Sequence, residues 1–146
     1  MLCQIHLLVR LNLGLPPERS NSSFMKHKIF TTAVFASFTW NLYLVGGVII
    51  GASFALERAA GGQFEVFPAY IRILYILNFA LIIYQVIIYD RLTTGIMIKP
   101  SWLIKAFVIV GVFGILANAA SRSPLERWNV IPAGIITFAF YKELRK

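Results

Sequence analysis

Charge is scarce in this chain. Only 14% of its 146 residues are Asp, Glu, Lys or Arg, against about 25% in an average soluble domain. Acid is scarcer still, with 6 carboxylates against 14 Lys plus Arg and a net charge of +8. Aspartate occurs once, at Asp90, so a multi-Asp metal site for phosphoryl transfer cannot be assembled. The single cysteine, Cys3, excludes a disulfide framework and a CxxC redox pair. The only histidines, His6 and His27, both precede the first long apolar run, which leaves an intramembrane haem or His-ligated metal without ligands. No HExxH, P-loop or GxSxG pattern is present. These absences argue against an enzyme and against a bound cofactor or metal.

Apolar surface, by contrast, is plentiful. The hydrophobic fraction is 58% and the mean hydropathy +0.73, so too few polar residues remain to cover a water-facing exterior. A membrane-crossing helix needs about 20 mostly apolar residues. The first such run covers 29–56, free of formal charge and closed by Glu57-Arg58. The second covers 69–89, with Arg72 in its first turn, and the third 102–120, interrupted only by Lys105. A fourth, 124–142, is apolar only from Trp128 to Tyr141 but has a start signal in Ser123-Pro124-Leu125-Glu126. That pattern puts Ser at the N-cap, Pro at the first helical position and Glu at the third, a capping box. Pro132 is expected to kink this helix or to leave a carbonyl free for a neighbouring group. The expected fold is therefore all-α: a polytopic four-helix transmembrane bundle forming a single domain over 25–146.

Lys and Arg in short loops set membrane orientation. One side collects Lys26, Lys28, Arg91, Lys99, Lys105, Lys142, Arg145 and Lys146; the other has Arg58, Arg72, Arg122 and Arg127. The bias predicts both termini inside, with the basic excess facing anionic headgroups of the cytoplasmic leaflet. This accounts for the basic charge without nucleic acid, for which no motif exists. The segment 1–24 is too polar to span and lacks a small-residue cleavage site. Met25-Lys26-His27-Lys28, running straight into Ile29, reads as a bacterial membrane-protein start, which makes 1–24 a mis-assigned extension; the rival is a short interfacial helix.

No ionisable residue falls at a predicted span centre. The intramembrane polar groups are amides and a phenol, Asn41, Tyr75, Asn78, Gln85 and Asn118. Tyr75, Asn78 and Gln85 recur at helical spacing and share one face. They either hydrogen-bond across helices, the commoner use of such residues, or line a small polar cavity for a solute or lipid headgroup. Gly47 and Gly51 form a GxxxG pair, and Gly111 and Gly114 lie on about one face of the third run, all candidates for close helix packing. Glu57, Arg58, Glu65, Arg72, Arg122, Glu126 and Arg127 gather by topology at the outer rim, with Arg72, Arg122, Glu126 and Arg127 as the leading candidates. They are expected to form an ion-pair network or an anion-binding cluster, Arg being suited to bidentate oxyanion recognition. Arg72, one turn inside the apolar boundary, has the strongest need of a partner.

The stretch Asn118-Ala-Ala-Ser121-Arg122-Ser123-Pro-Leu-Glu126-Arg127, followed by Trp128 and Pro132, resembles a turn in small uncharacterised bacterial four-span membrane proteins, where N-x-x-S-R-S-x-x-E-R joins the last two helices. The resemblance covers the C-terminal third and implies an inner-membrane bundle without a known activity. Proton-coupled small multidrug transporters use a glutamate in the first helix, and 29–56 has none. The expected function is a small non-catalytic membrane protein, an accessory or oligomerising component of a complex that pairs with itself or with another membrane protein. The alternative is a small solute permease or lipid-binding bundle using the polar face.

Overall fold

The computed structural model describes residues 21–96, 98 and 102–145. Two compact units divide at residue 30, and of the first, Met1–Phe30, the described part is the start of one helix. The expectation that 1–24 is an extension thus falls mostly outside the described residues, although the helix begins at Asn21, upstream of Met25. The second unit, Thr31–Lys146, holds the rest of that helix and all the others.

The described residues are helical, with no strand among them. The helices are α1 (Asn21–Ile50), the short α2 (Ser53–Leu56), α3 (Ala69–Thr93), α4 (Trp102–Ala119), the short α5 (Pro124–Arg127) and α6 (Val130–Leu144), with a 3-10 turn at Ala60–Gly62. Among the described residues three segments are long and apolar enough to cross a membrane: Met25–Ile50, Ala69–Thr93 and Trp102–Ala119. Much of their surface faces outward without cover, including Ile73, Leu77 and Ile87 on α3 and Ile109, Phe113 and Leu116 on α4. Apolar helices exposed in this way suit a lipid environment and would aggregate in water.

Two expected boundaries are corrected. The run 29–56 is not one helix: α1 stops at Ile50. Gly51 takes φ +75°, and the Gly51 and Ala52 amides turn back onto the Val48 and Gly47 carbonyls, at 3.2 and 2.8 Å. This is a Schellman stop, which needs a left-handed residue just past the helix end; uncharged flanks hide it from hydropathy. The segment 124–142 is likewise two helices, broken at Trp128-Asn129. Pro132 is the cause, but it does not kink a helix from within. Its ring excludes the carbonyl four residues back, that of Trp128, so the chain breaks one turn upstream and Pro132 sits in the first turn of α6, where its missing N–H costs nothing.

The helices form two antiparallel pairs. Along α1 and α3, Phe35 and Phe38 meet Tyr89 with ring centroids 5.8 and 6.2 Å apart, a Gly46 Cβ would face Phe79, and Gly51 lies under Arg72. Along α4 and α6, Phe107 meets Phe140 at 5.0 Å and Gly111 lies against Thr137. Tyr84 on Phe107 (5.8 Å) and Tyr89 on Phe140 (5.9 Å) join the pairs through edge-on rings, a favoured aromatic geometry. Val34, Phe38 and Phe140 are almost fully buried.

At the opposite end, the chain folds back along α1 after Gly51. Phe54 stacks on Tyr43 with centroids 4.5 Å apart and planes 9° from parallel, and its ring fills the space a Gly47 side chain would need. Ala55, Ala59 and Phe67 bury with Leu44 and Val48 in one apolar cluster. The connection from Ser53 to Phe67 is therefore packed against the helix it leaves. Its backbone polar groups, lacking a helical ladder, need partners from elsewhere.

Candidate functional site

Those partners come from the turn between α4 and α6. Ser123 caps α5, its hydroxyl accepting from the Glu126 amide at 3.3 Å, with Pro124 at the first helical position. The forward half of the expected capping box is present. The return half is not: the Ser123 amide donates to the Ser121 hydroxyl at 3.1 Å, which frees the Glu126 side chain. Its carboxylate accepts instead from the Gly61 amide at 2.7 Å, sixty-five positions away, and from the Ser121 hydroxyl. Ser123 also donates to the Glu57 carbonyl.

Ala60 and Gly61 both have positive φ, 52° and 74°, and this left-handed turn presents the Gly61 N–H to Glu126. Asn129 completes the junction. Only 3% exposed, it accepts from the Trp40 indole N–H at 3.0 Å and donates to the Arg58 carbonyl at 3.3 Å. One amide thus ties the start of α6 to α1 and to the 53–67 connection. The Arg58 guanidinium lies over the Trp40 ring, 5.9 Å from its centroid, a cation–π contact. Ser121, Ser123 and Asn129 are all buried, and their polar atoms are engaged.

The four rim residues singled out from sequence occupy this end with different roles. Glu126 is at its centre. Arg127 donates from Nε to the Ser121 carbonyl at 2.8 Å, and Arg122 is exposed. Arg72 finds a partner in backbone, donating from Nε to the Phe67 carbonyl at 3.2 Å. One of its terminal nitrogens stands 2.7 Å from where a Gly51 Cβ would be. A cation there faces the negative end of the α1 dipole. The contacts of Arg72, Glu126 and Arg127 are hydrogen bonds to backbone and hydroxyl groups rather than guanidinium–carboxylate pairs.

The polar-face residues are dispersed in environment. Gln85 is buried, Asn41 and Tyr75 half-buried, and Asn78 exposed on α3. Tyr75 borders the apolar cluster of Leu44 and Val48. Asn118 turns back on its own helix, donating to the Gly114 carbonyl at 2.7 Å. Of the packing glycines, Gly47 lies against Phe54 of α2, and Gly51, just past the end of α1, lies under Arg72 of α3. Gly111 meets Thr137 of α6, and Gly114 faces open space.

Sequence inspection places Arg58 at this rim but misses Asn129 and Trp40 as its partners. The signal for Asn129 is local: an amide three residues before Pro132, where a helix cannot run through. Its partners lie 89 and 71 positions away, beyond the reach of pattern. Chemically, the arrangement fastens two connections. Among the described residues no group of three or more His, Cys, Asp or Glu could hold a metal ion.

The regular elements of the described residues are all helices, and three of their segments suggest a membrane protein. No known protein family, curated protein or solved structure matches the chain.

Proposed function

We propose that the chain is a small non-catalytic protein of the bacterial inner membrane, crossing it four times with both termini inside, and that it serves as an accessory or oligomerising component of a membrane complex. For the fourth crossing, α6 runs antiparallel to α4 from Asn129 beside Arg58 to Phe140 beside Tyr89. Its 15 residues cover about 22 Å at 1.5 Å each. That is short of the hydrocarbon core of about 30 Å, and α5 with the Trp128-Asn129 turn adds about 9 Å. For orientation, Arg91, Lys105, Lys142 and Arg145 stand at the ends of α3, α4 and α6 that the antiparallel register brings together. Lys26 and Lys28 join them by the sequence count.

The observation that carries the accessory reading is Asn78. The junction residues spend their polar atoms inside the chain, whereas Asn78 presents an amide outward near the middle of α3, among exposed Leu74 and Leu77. An amide facing lipid gains by pairing with an amide or hydroxyl on a neighbouring helix, by about 0.6–2 kcal/mol. Purification in mild detergent tests this. Wild type is expected to keep a second copy or a stoichiometric membrane partner, and Asn78→Leu to lose it. A wild-type monomer without any partner would contradict the proposal.

A further inference from the structure

Among the described residues, no carboxylate is bonded to the Arg58 guanidinium, which lies over the Trp40 ring. Trp40 is ten residues before the end of α1 at Ile50, about 15 Å along the axis. The crossing segment Met25–Ile50 has 26 residues, about 39 Å, which exceeds a core of about 30 Å by about 9 Å. Even with all of that excess beyond the core at the Ile50 end, Trp40 lies about 6 Å below the hydrocarbon boundary. The guanidinium over its ring shares that depth. A charged side chain there is costly unless paired.

Glu126 accepts from Gly61 and Ser121 through one of its oxygens, and Glu57 is exposed. Among the described residues, the contact recorded for the Arg58 side chain is the Trp40 ring. Asn129 bonds both the Trp40 indole and the Arg58 carbonyl, which sets the base of the Arg58 side chain beside the ring its guanidinium covers. Two residues before Asn129, Arg127 uses Nε on the Ser121 carbonyl and is exposed. Trp40 and the neighbouring Tyr43 are exposed, as is Trp128, which follows Arg127 in the chain.

We propose that Arg58, with Arg127 in support, binds the phosphate of an anionic phospholipid in the rim-side leaflet. The planar guanidinium fork suits a phosphate, and the flanking apolar rings suit the glycerol and acyl segments that a free anion lacks. The inference rests on the membrane-spanning reading above and adds a ligand to it.

Trp40 reports occupancy directly. In a Trp102→Phe variant the remaining tryptophans are Trp40, under the Arg58 guanidinium, and Trp128, next in sequence to Arg127. Reconstitution into vesicles containing brominated phosphatidylglycerol or brominated phosphatidylcholine then measures which lipid quenches them. A basic residue near an anionic headgroup is worth about fivefold in binding. Phosphatidylglycerol is expected to be preferred about fivefold, with Arg58→Gln reducing the ratio to near one and Arg58→Lys keeping part of it. Equal quenching by the two lipids in the Arg58-containing protein overturns the proposal, whatever the variants do. So does a preference that survives both Arg58→Gln and Arg127→Gln. Loss of the preference on adding millimolar inorganic phosphate would instead identify a free-anion site and overturn the lipid assignment. Flotation with the vesicles separates the two claims: a chain that fails to float refutes the spanning reading, and one that floats without lipid preference refutes this inference alone.

Discussion

Asn129→Ala removes two hydrogen bonds that cross the fold, one from the Trp40 indole at 3.0 Å and one to the Arg58 carbonyl at 3.3 Å. Hydrogen bonds between helices in a membrane protein average about 0.6 kcal/mol and reach about 1.7. Two of them set a loss of about 1–3 kcal/mol. The upper part of that range applies if the Arg58 carbonyl, buried by the junction, is left without a donor. Asn118→Ala is the matched control. It deletes the same amide from a half-buried site where the bond stays within one helix, to the Gly114 carbonyl, and its cost is expected below about 0.5 kcal/mol. Reversible unfolding in mixed detergent–lipid micelles, followed by far-UV circular dichroism and tryptophan emission, measures both. The Trp40 emission of Asn129→Ala should also shift, because its indole N–H loses its acceptor. Equal stabilities for the two variants would refute the claim that Asn129 joins α1, α6 and the 53–67 connection.

Other substitutions probe neighbouring contacts. Gly51→Ala places a side chain at φ +75° and 2.7 Å from an Arg72 nitrogen, and is expected to cost about 1–3 kcal/mol in the same unfolding assay. Gly111→Ala collides with Thr137 and should destabilise, with partial recovery in combination with Thr137→Ala. Gly114→Ala meets nothing within 4 Å and should be neutral or stabilise by up to about 1 kcal/mol, as Ala does over Gly within a helix. Glu126→Ala strips acceptors from the Gly61 amide and the Ser121 hydroxyl and is expected to cost about 1–3 kcal/mol. It should speed proteolysis in the 57–65 connection; unchanged cleavage there would show that Glu126 does not hold it.

The apolar segments are legible in the sequence because hydropathy is a local sum, and α3 and α4 begin where the second and third runs do. The stop at Gly51 is less so, because no charge marks it and Ala52 to Leu56 continues the apolar run. The glycine itself is the available cue, but its GxxxG spacing from Gly47 points to helix packing instead. The Ser123 cap is legible as a four-residue pattern. The destination of the Glu126 side chain is not, since it depends on where the chain brings Gly61. Asn129 shows the same limit from the other side: its place before Pro132 marks a helix start, yet its two partners come from distant segments. Arg72 needs a partner by its position alone, and it finds backbone instead of a carboxylate. The rim chemistry is thus visible as composition and becomes specific only through tertiary contacts.

The sidedness of α6 decides most directly between four crossings and three. Single cysteines placed by Gln63→Cys, Thr94→Cys and Arg145→Cys, each with Cys3→Ala, would be exposed to a membrane-impermeant maleimide in right-side-out vesicles. Four crossings with both termini inside predict labelling at position 63 alone, with 94 and 145 reacting only after the vesicles are opened. Labelling of 145 in sealed vesicles, with 94 protected, would show that α6 does not cross and would contradict the four-span bundle.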